Sequence, residues 1–122
     1  GTQYNSNDTF IMFLFASLAG ISKVGTFATS QDLVVDCGFT NGARFVLLKR
    51  IPAANTSWDH WFIFDSIRGI TTSADNYLSL NTNGAQAADG NNIEAHASGF
   101  KIKNGGGLNF ANGNEFVFYA IA

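Results

Sequence analysis

Asn41-Gly-Ala-Arg-Phe-Val-Leu-Leu-Lys-Arg50 and Trp58-Asp-His-Trp-Phe-Ile-Phe-Asp65 are two apolar runs separated by a polar segment holding Pro52, Asn55 and Ser57. Both runs are rich in β-branched and aromatic residues, which suit a pleated, half-buried surface better than a helix. The pattern predicts two antiparallel neighbouring strands near the middle of a sheet. Working outward, Phe10 to Ala16, Ile21 to Thr29, Leu33 to Cys37, Tyr77 to Leu80, Ile93 to Ala97, Phe100 to Lys103 and Glu115 to Ala122 complete a set of about nine predicted strands. Turn signals recur between them. In the hairpin across Ser98-Gly99, Phe100 and Ile102 are expected to face inward, with Lys101 and Lys103 facing water. Asn81 to Asn92 shows no periodicity and is expected to be a long surface loop, and Gly105-Gly-Gly107 a turn or a flexible break. The resulting fold class is all-β: a two-sheet antiparallel β-sandwich, jelly-roll-like.

Length and composition bound the rest. With 122 residues, one domain spanning 1–122 is expected, without room for a second ordinary core. Charged residues make up 13%, against roughly 25% in an average soluble domain. Much of the surface is therefore neutral or covered by neighbours. A net charge of −2 with scattered basic residues offers no electrostatic footprint for nucleic acid. Phe10 to Ile21 is the most hydrophobic run, but its 12 residues fall short of the roughly 20 a membrane helix needs, so no membrane insertion is expected. No basic residue precedes it, which argues against reading it as a secretory signal. Instead, Phe10 to Ala16 is apolar at every position, as in a strand covered on two sides. Cys37 is the single cysteine, which excludes an intrachain disulfide and predicts a buried, inert thiol.

The two ends of the chain resemble each other. Residues 1–16 align with 107–122 without a gap at an offset of 106, pairing Gly1 with Gly107, Tyr4 with Phe110, Phe10 with Phe116, Ile11 with Val117 and Ala16 with Ala122. A period of that size implies one full unit plus a second copy of its closing strand. Two equivalent segments then compete for one place in the sheet. Phe10, Met12, Phe13, Leu14 and Phe15 are accordingly expected to pair elsewhere in the sheet or to dock on a neighbouring chain by strand exchange.

The segments Ser17 to Gly25, Asp36 to Arg50, Trp61-Phe-Ile-Phe-Asp-Ser-Ile-Arg-Gly69 and Glu115 to Ala122 resemble a β-sandwich repeat module, concanavalin- or SPRY-like, of virion proteins of tailed bacteriophages such as tail fibres. The resemblance covers nearly the whole chain. It implies a structural protein of the particle, whether tail fibre, appendage or capsid decoration, located at the virion surface. Its implied partners are other copies of itself, other virion proteins and a host-surface glycan. It implies no catalytic residues and no cofactor.

Residue chemistry is consistent with a non-enzyme. His60 and His96 lack a nucleophile-elbow pattern such as Gly-x-Ser-x-Gly, and neither belongs to a recognised metal-ligand spacing. Asp75, Asn76, Asp89 and Asn91 form a loop set that would suit calcium in a lectin-like sandwich, a minor alternative. Asp59 and Asp65, six residues apart, would stand roughly 20 Å apart on an extended strand, too far for paired acid catalysis. Asp65 is expected to pair with Arg68 before Gly69, and Asp36, less strongly, with Arg44.

The residues predicted to meet a glycan or another subunit are Trp58, Trp61, Asn81, Asn83 and Asp89. An exposed indole is a flat apolar plate with one donor edge, suited to stacking on sugars or to subunit packing. The two tryptophans, three residues apart, point to opposite faces of a regular strand; burial of both is the alternative. Two function classes therefore stay open: a structural assembly module, in which the low charge and the spare terminal strand serve subunit contacts, and a lectin-like carbohydrate-binding module, in which Trp58, Trp61 and the loop 81–92 meet a glycan.

Overall fold

A computed structural model describes residues 9, 11–51, 59–70, 75–103 and 113–122; among these, nine strands and no helix are present. The strands are β1 (Ser22–Ala28), β2 (Leu33–Asp36), β3 (Phe45–Ile51), β4 (Trp61–Asp65), β5 (Asp75–Ser79), β6 (Ala87–Asp89), β7 (Ile93–His96), β8 (Gly99–Ile102) and β9 (Glu115–Ile121). They form a six-stranded sheet in the order β1-β9-β3-β4-β5-β6 and a three-stranded sheet in the order β2-β8-β7, with every pairing antiparallel. The chain is a two-sheet antiparallel β-sandwich, as its alternating pattern predicts.

The core lies where the two sheets face each other. Val46, Leu48, Phe62, Phe64, Phe116 and Ala120 of the large sheet, and Phe100 and Ile102 of the small one, are all buried. Phe100 ties the layers together, standing edge-on to Phe118 at 5.5 Å and to Phe27 at 6.0 Å between ring centroids. Such T-shaped pairs place a positive ring edge on a negative face and add to the area term. Close backbone approach sets the small sheet. A Cβ at Gly99 would stand 2.2 Å from the Val35 carbonyl oxygen and 3.0 Å from Cys37 Sγ. Only glycine fits there. Gly42 turns the chain towards β3 at φ 79°, and a side chain would meet the His96 carbonyl oxygen at 2.8 Å.

Two sequence expectations are corrected. The expected surface loop Asn81 to Asn92 contains β6, whose Asp75↔Asp89, Asn76↔Ala88 and Tyr77↔Ala87 register extends the large sheet by one short edge strand. The expected strand Phe10 to Ala16 is not one: residues 11–17 belong to no strand and are exposed, while Phe10 lies outside the described residues. The reason is occupancy. β9 fills the gap between β1 and β3, paired along seven residues with each. At the other edge of β1, Ser17 Oγ accepts the Val24 N–H at 3.0 Å and Ser22 Oγ donates to the Ala16 carbonyl at 2.8 Å. These bonds turn the preceding chain out of the sheet after a single Leu18↔Ser22 bridge.

Candidate functional site: an apolar outer face crossed by an arm

An antiparallel sheet with one face in water alternates apolar-in and polar-out. The outer face of the large sheet departs from that rule. Strand register places Val24, Tyr119, Leu47, Ile63 and Leu78 in one cross-strand row over five strands. Phe45 and Ile121 are partners in the adjacent row, and Val117 and Trp61 flank Lys49 in the other. The inward residues of the same strands are Val46, Leu48, Phe62, Phe64, Phe116 and Phe118, so these strands are apolar on both sides.

Residues 11–17 form an arm that covers part of this face. From the β1 edge, Phe15 stacks on Tyr119 of β9 with ring centroids 4.4 Å apart and planes at 28°. Phe13 and Phe15 line a small cleft together with Leu47 and Val117, and Ile11 and Met12 border an open groove of about 730 Å³ floored by Phe45, Trp61 and Tyr119. Leu47 points outward from β3 yet is only 7% exposed, since the arm crosses it. The arm itself is not covered: Ile11 is 85% exposed, Met12 76%, Phe13 77%, Leu14 86% and Phe15 49%. Apolar side chains therefore point away from the protein as well as into it.

Charge sits at the rim. Lys49 Nζ donates to the Asp59 carbonyl at 2.5 Å, and Arg50 lies 3.7 Å from the Asp59 carboxylate. Asp65 pairs with Arg68, as its spacing predicts: Arg68 Nε donates to Oδ2 at 2.6 Å, while the Ile67 and Arg68 N–H groups donate to Oδ1. Burial pushes the Asp65 carboxyl up, but the Arg68 N–H and guanidinium and the Ile67 N–H together outweigh it and hold it below the usual carboxylate range. Asp36 does something other than pair with Arg44, accepting the Gly38 N–H at 2.8 Å to close its own turn.

The predicted contact residues divide. Trp61, 40% exposed, lies on the outer face, and Asn81 accepts its backbone N–H at 3.0 Å, so the two meet in the groove beside Leu80. Asn83 is exposed, while Trp58 and the side chain of Asp89 lie outside the described residues. Phe45, Leu47, Tyr119 and Ile121 were missed as surface-forming residues. Their signal was the consecutive apolar runs Phe45 to Leu48 and Phe116 to Ile121, which are two-sided where alternation would be one-sided.

The remaining polar residues serve the fold. Asp75 is buried, and its Oδ2 accepts the N–H groups of Asn92 at 2.5 Å and Ile93 at 2.8 Å, fastening β5 to the start of β7. Asn76 donates to the Arg68 carbonyl and Asn91 to Glu94, so this polar set is engaged in joining loops to strands. Among the described residues, no three His, Cys, Asp or Glu side chains converge as metal ligands. His96 Nδ1 lies 3.1 Å from Ser98 Oγ, and His60 stacks on Phe62 at 5.9 Å. Cys37 is buried, and burial, followed by the negative charge of Asp36, pushes its thiol up to about 11, leaving little reactive thiolate. On the small sheet, Asp32 contacts Lys103 and Lys101, whose ammonium groups also approach Glu94. The hydrogen bond from Lys103, then that from Lys101, lowers the Asp32 carboxyl, in an exposed network that belongs to the solvated side of the sandwich.

No helix among the described residues is long and apolar enough to cross a membrane. No match was found among curated proteins or among solved structures. One family does match, over the full length: residues 1–122 correspond to the family described as "Domain of unknown function (DUF7483)". A two-sheet sandwich with an arm across its apolar face is thus the form of a chain that belongs to the DUF7483 family.

Proposed function

We propose that this chain is a structural module of a tailed-phage particle, working through contacts with other subunits at an appendage or at the capsid surface. The observation that carries this reading is the outer face of the large sheet. Five strands present a continuous apolar row there, and the arm laid over it exposes five further large apolar side chains. Exposed apolar surface of this kind marks an interaction site. The resemblance of the Phe64-Asp-Ser-Ile-Arg-Gly69 segment and of the closing strand to virion modules supplies the setting. A low charge content fits a surface that spends its life against neighbours.

The carbohydrate reading has less support. Sugar sites combine an aromatic plate with several convergent hydrogen-bonding groups. Trp61 supplies the plate, but Asn81 Oδ1 beside it already accepts the Trp61 backbone N–H, and the groove is otherwise lined by apolar side chains such as Ile11, Met12, Phe13 and Phe45.

The test is location. Quantitative mass spectrometry of purified phage particles that encode the chain, with immunogold labelling against it, is expected to find multiple copies at one external structure. Particles of full infectivity that contain no copies would overturn the proposal.

A further inference from the structure

The geometry points to a second copy of this chain as the occupant of the arm-covered face: two sandwiches pack through their large sheets, arm against arm, in the layer order sheet, arm, arm, sheet. This deepens the subunit-contact reading and rests on it.

Three observations select this occupant. The first is area. At roughly 200 Å² for a large side chain, the exposures of Ile11, Met12, Phe13, Leu14 and Phe15 amount to about 750 Å² of largely apolar surface. The largest patch on a typical monomer is about 300–600 Å². A standard interface takes about 800 Å² from each partner, which the arm reaches with the exposed edges of Trp61 and Leu80. The second is charge. Residues 11–22 contain no ionisable side chain, so a two-fold contact, which sets each patch on its own image, brings no like charges together. The same neutrality disfavours a charged partner.

The third is the internal repeat. The arm has the sequence pattern of β9, with Met12 standing for Phe118, Phe13 for Tyr119 and Leu14 for Ala120. In the sandwich, β9 is covered on both sides: Phe118 by the small sheet and Tyr119 by Phe15 of the arm. The arm has a cover on one side only. A second arm supplies the missing layer with the same chemistry.

The experiment is sedimentation equilibrium and light scattering on the 122-residue chain from micromolar to about 0.1 mM, with Leu14→Glu as the probe. Leu14 is 86% exposed, so the substitution leaves the sandwich intact, which far-UV circular dichroism verifies. The wild type is expected to weigh two 13.1 kDa chains and Leu14→Glu one, a weakening of at least about 100-fold from a carboxylate placed in an apolar contact. Leu14→Met is expected to keep the dimer. A monomeric wild type, or a Leu14→Glu protein that stays dimeric, would overturn the inference, as would a monomer whose tryptophan fluorescence titrates with members of a glycan panel. These outcomes leave the particle-labelling result untouched, so the two proposals fail separately.

Discussion

Replacing Phe100 by alanine tests whether the two sheets are held as described. Phe100 is fully buried on β8, and it is the small-sheet ring that meets both Phe27 and Phe118 of the large sheet. Truncation removes the transfer free energy of the ring, leaves a cavity between rigid layers, and deletes two edge-on ring contacts worth about 0.5–1.5 kcal/mol each. Buried Phe→Ala changes cost about 3–5 kcal/mol. Phe118 sits on β9, which is paired on both sides, and Phe27 on the edge strand β1, so the layers can close the cavity only in part, which places the expected loss near 4 kcal/mol. With an unfolding entropy of about 2.1 cal/mol/K per residue, 122 residues give about 0.26 kcal/mol/K, so the midpoint should fall by about 15 °C. Urea denaturation followed by tryptophan fluorescence, with a calorimetric scan, measures both quantities. Val34→Ala is the internal control: Val34 on neighbouring β2 is 40% exposed, and its truncation should cost no more than about 0.5 kcal/mol. A Phe100→Ala loss below about 1 kcal/mol, or one equal to that of Val34→Ala, would mean that the sheets do not meet through this ring.

Two further substitutions probe the backbone and the rim. Gly99→Ala puts a Cβ within 2.2 Å of the Val35 carbonyl oxygen, a rigid strand atom, so β2 and β8 must separate; a loss of about 3 kcal/mol is expected in the same urea assay, and a neutral result would refute the close approach. Asp65→Asn removes a carboxylate that accepts three N–H groups and should cost about 1–2 kcal/mol at neutral pH. Because the folded-state carboxyl lies below its unfolded value of about 3.9, its contribution is fully present above that value and is lost as the pH falls through the lowered folded value. The gap between wild type and Asp65→Asn should therefore narrow below about pH 4; a gap that widens there would reverse the sign of the argument.

Much of the sandwich was legible in the chain because alternation and turn chemistry agreed. Phe100 and Ile102 inward with Lys101 and Lys103 outward is a period of two, and that hairpin formed where the pattern put it. Phe45 to Arg50 and Trp61 to Asp65 became the adjacent β3 and β4 for the same reason. β6 was illegible. Ala87-Ala-Asp89 has no β-branched or aromatic residue, and the sheet edge it joins, not its own propensity, makes it a strand. Asp65 with Arg68 could be read because both partners sit in one turn. Asp36 with Arg44 could not, because an aspartate two residues before a glycine in a turn is satisfied locally by that glycine's N–H.

Residues 10–16 expose the deeper limit. In sequence they resemble 116–122, and both segments read as apolar strands. What separates them is topology. The later segment finds β1 on one flank and β3 on the other, and pairs along seven residues with each. The earlier one reaches a sheet whose matching slot is already filled, and two serine hydroxyls at the β1 edge divert it across the outer face. Local pattern specifies what a segment wants to bury, and competition for partners decides where it goes. The arm's one-sided burial is the residue of that competition: a strand's worth of apolar surface, half satisfied by its own sheet. If the competition is real, weakening the winner should move the loser. Val117→Gly and Tyr119→Gly together remove outer-face packing and strand propensity from β9 while leaving Phe116, Phe118 and Ala120 in the core, so the arm should gain the slot in part of the population. Amide hydrogen exchange reads this directly, as new protection of residues 11–16 with loss of protection in 115–121. Protection lost in β9 with none gained in the arm would show that the two segments are alike in sequence but not interchangeable in the sheet.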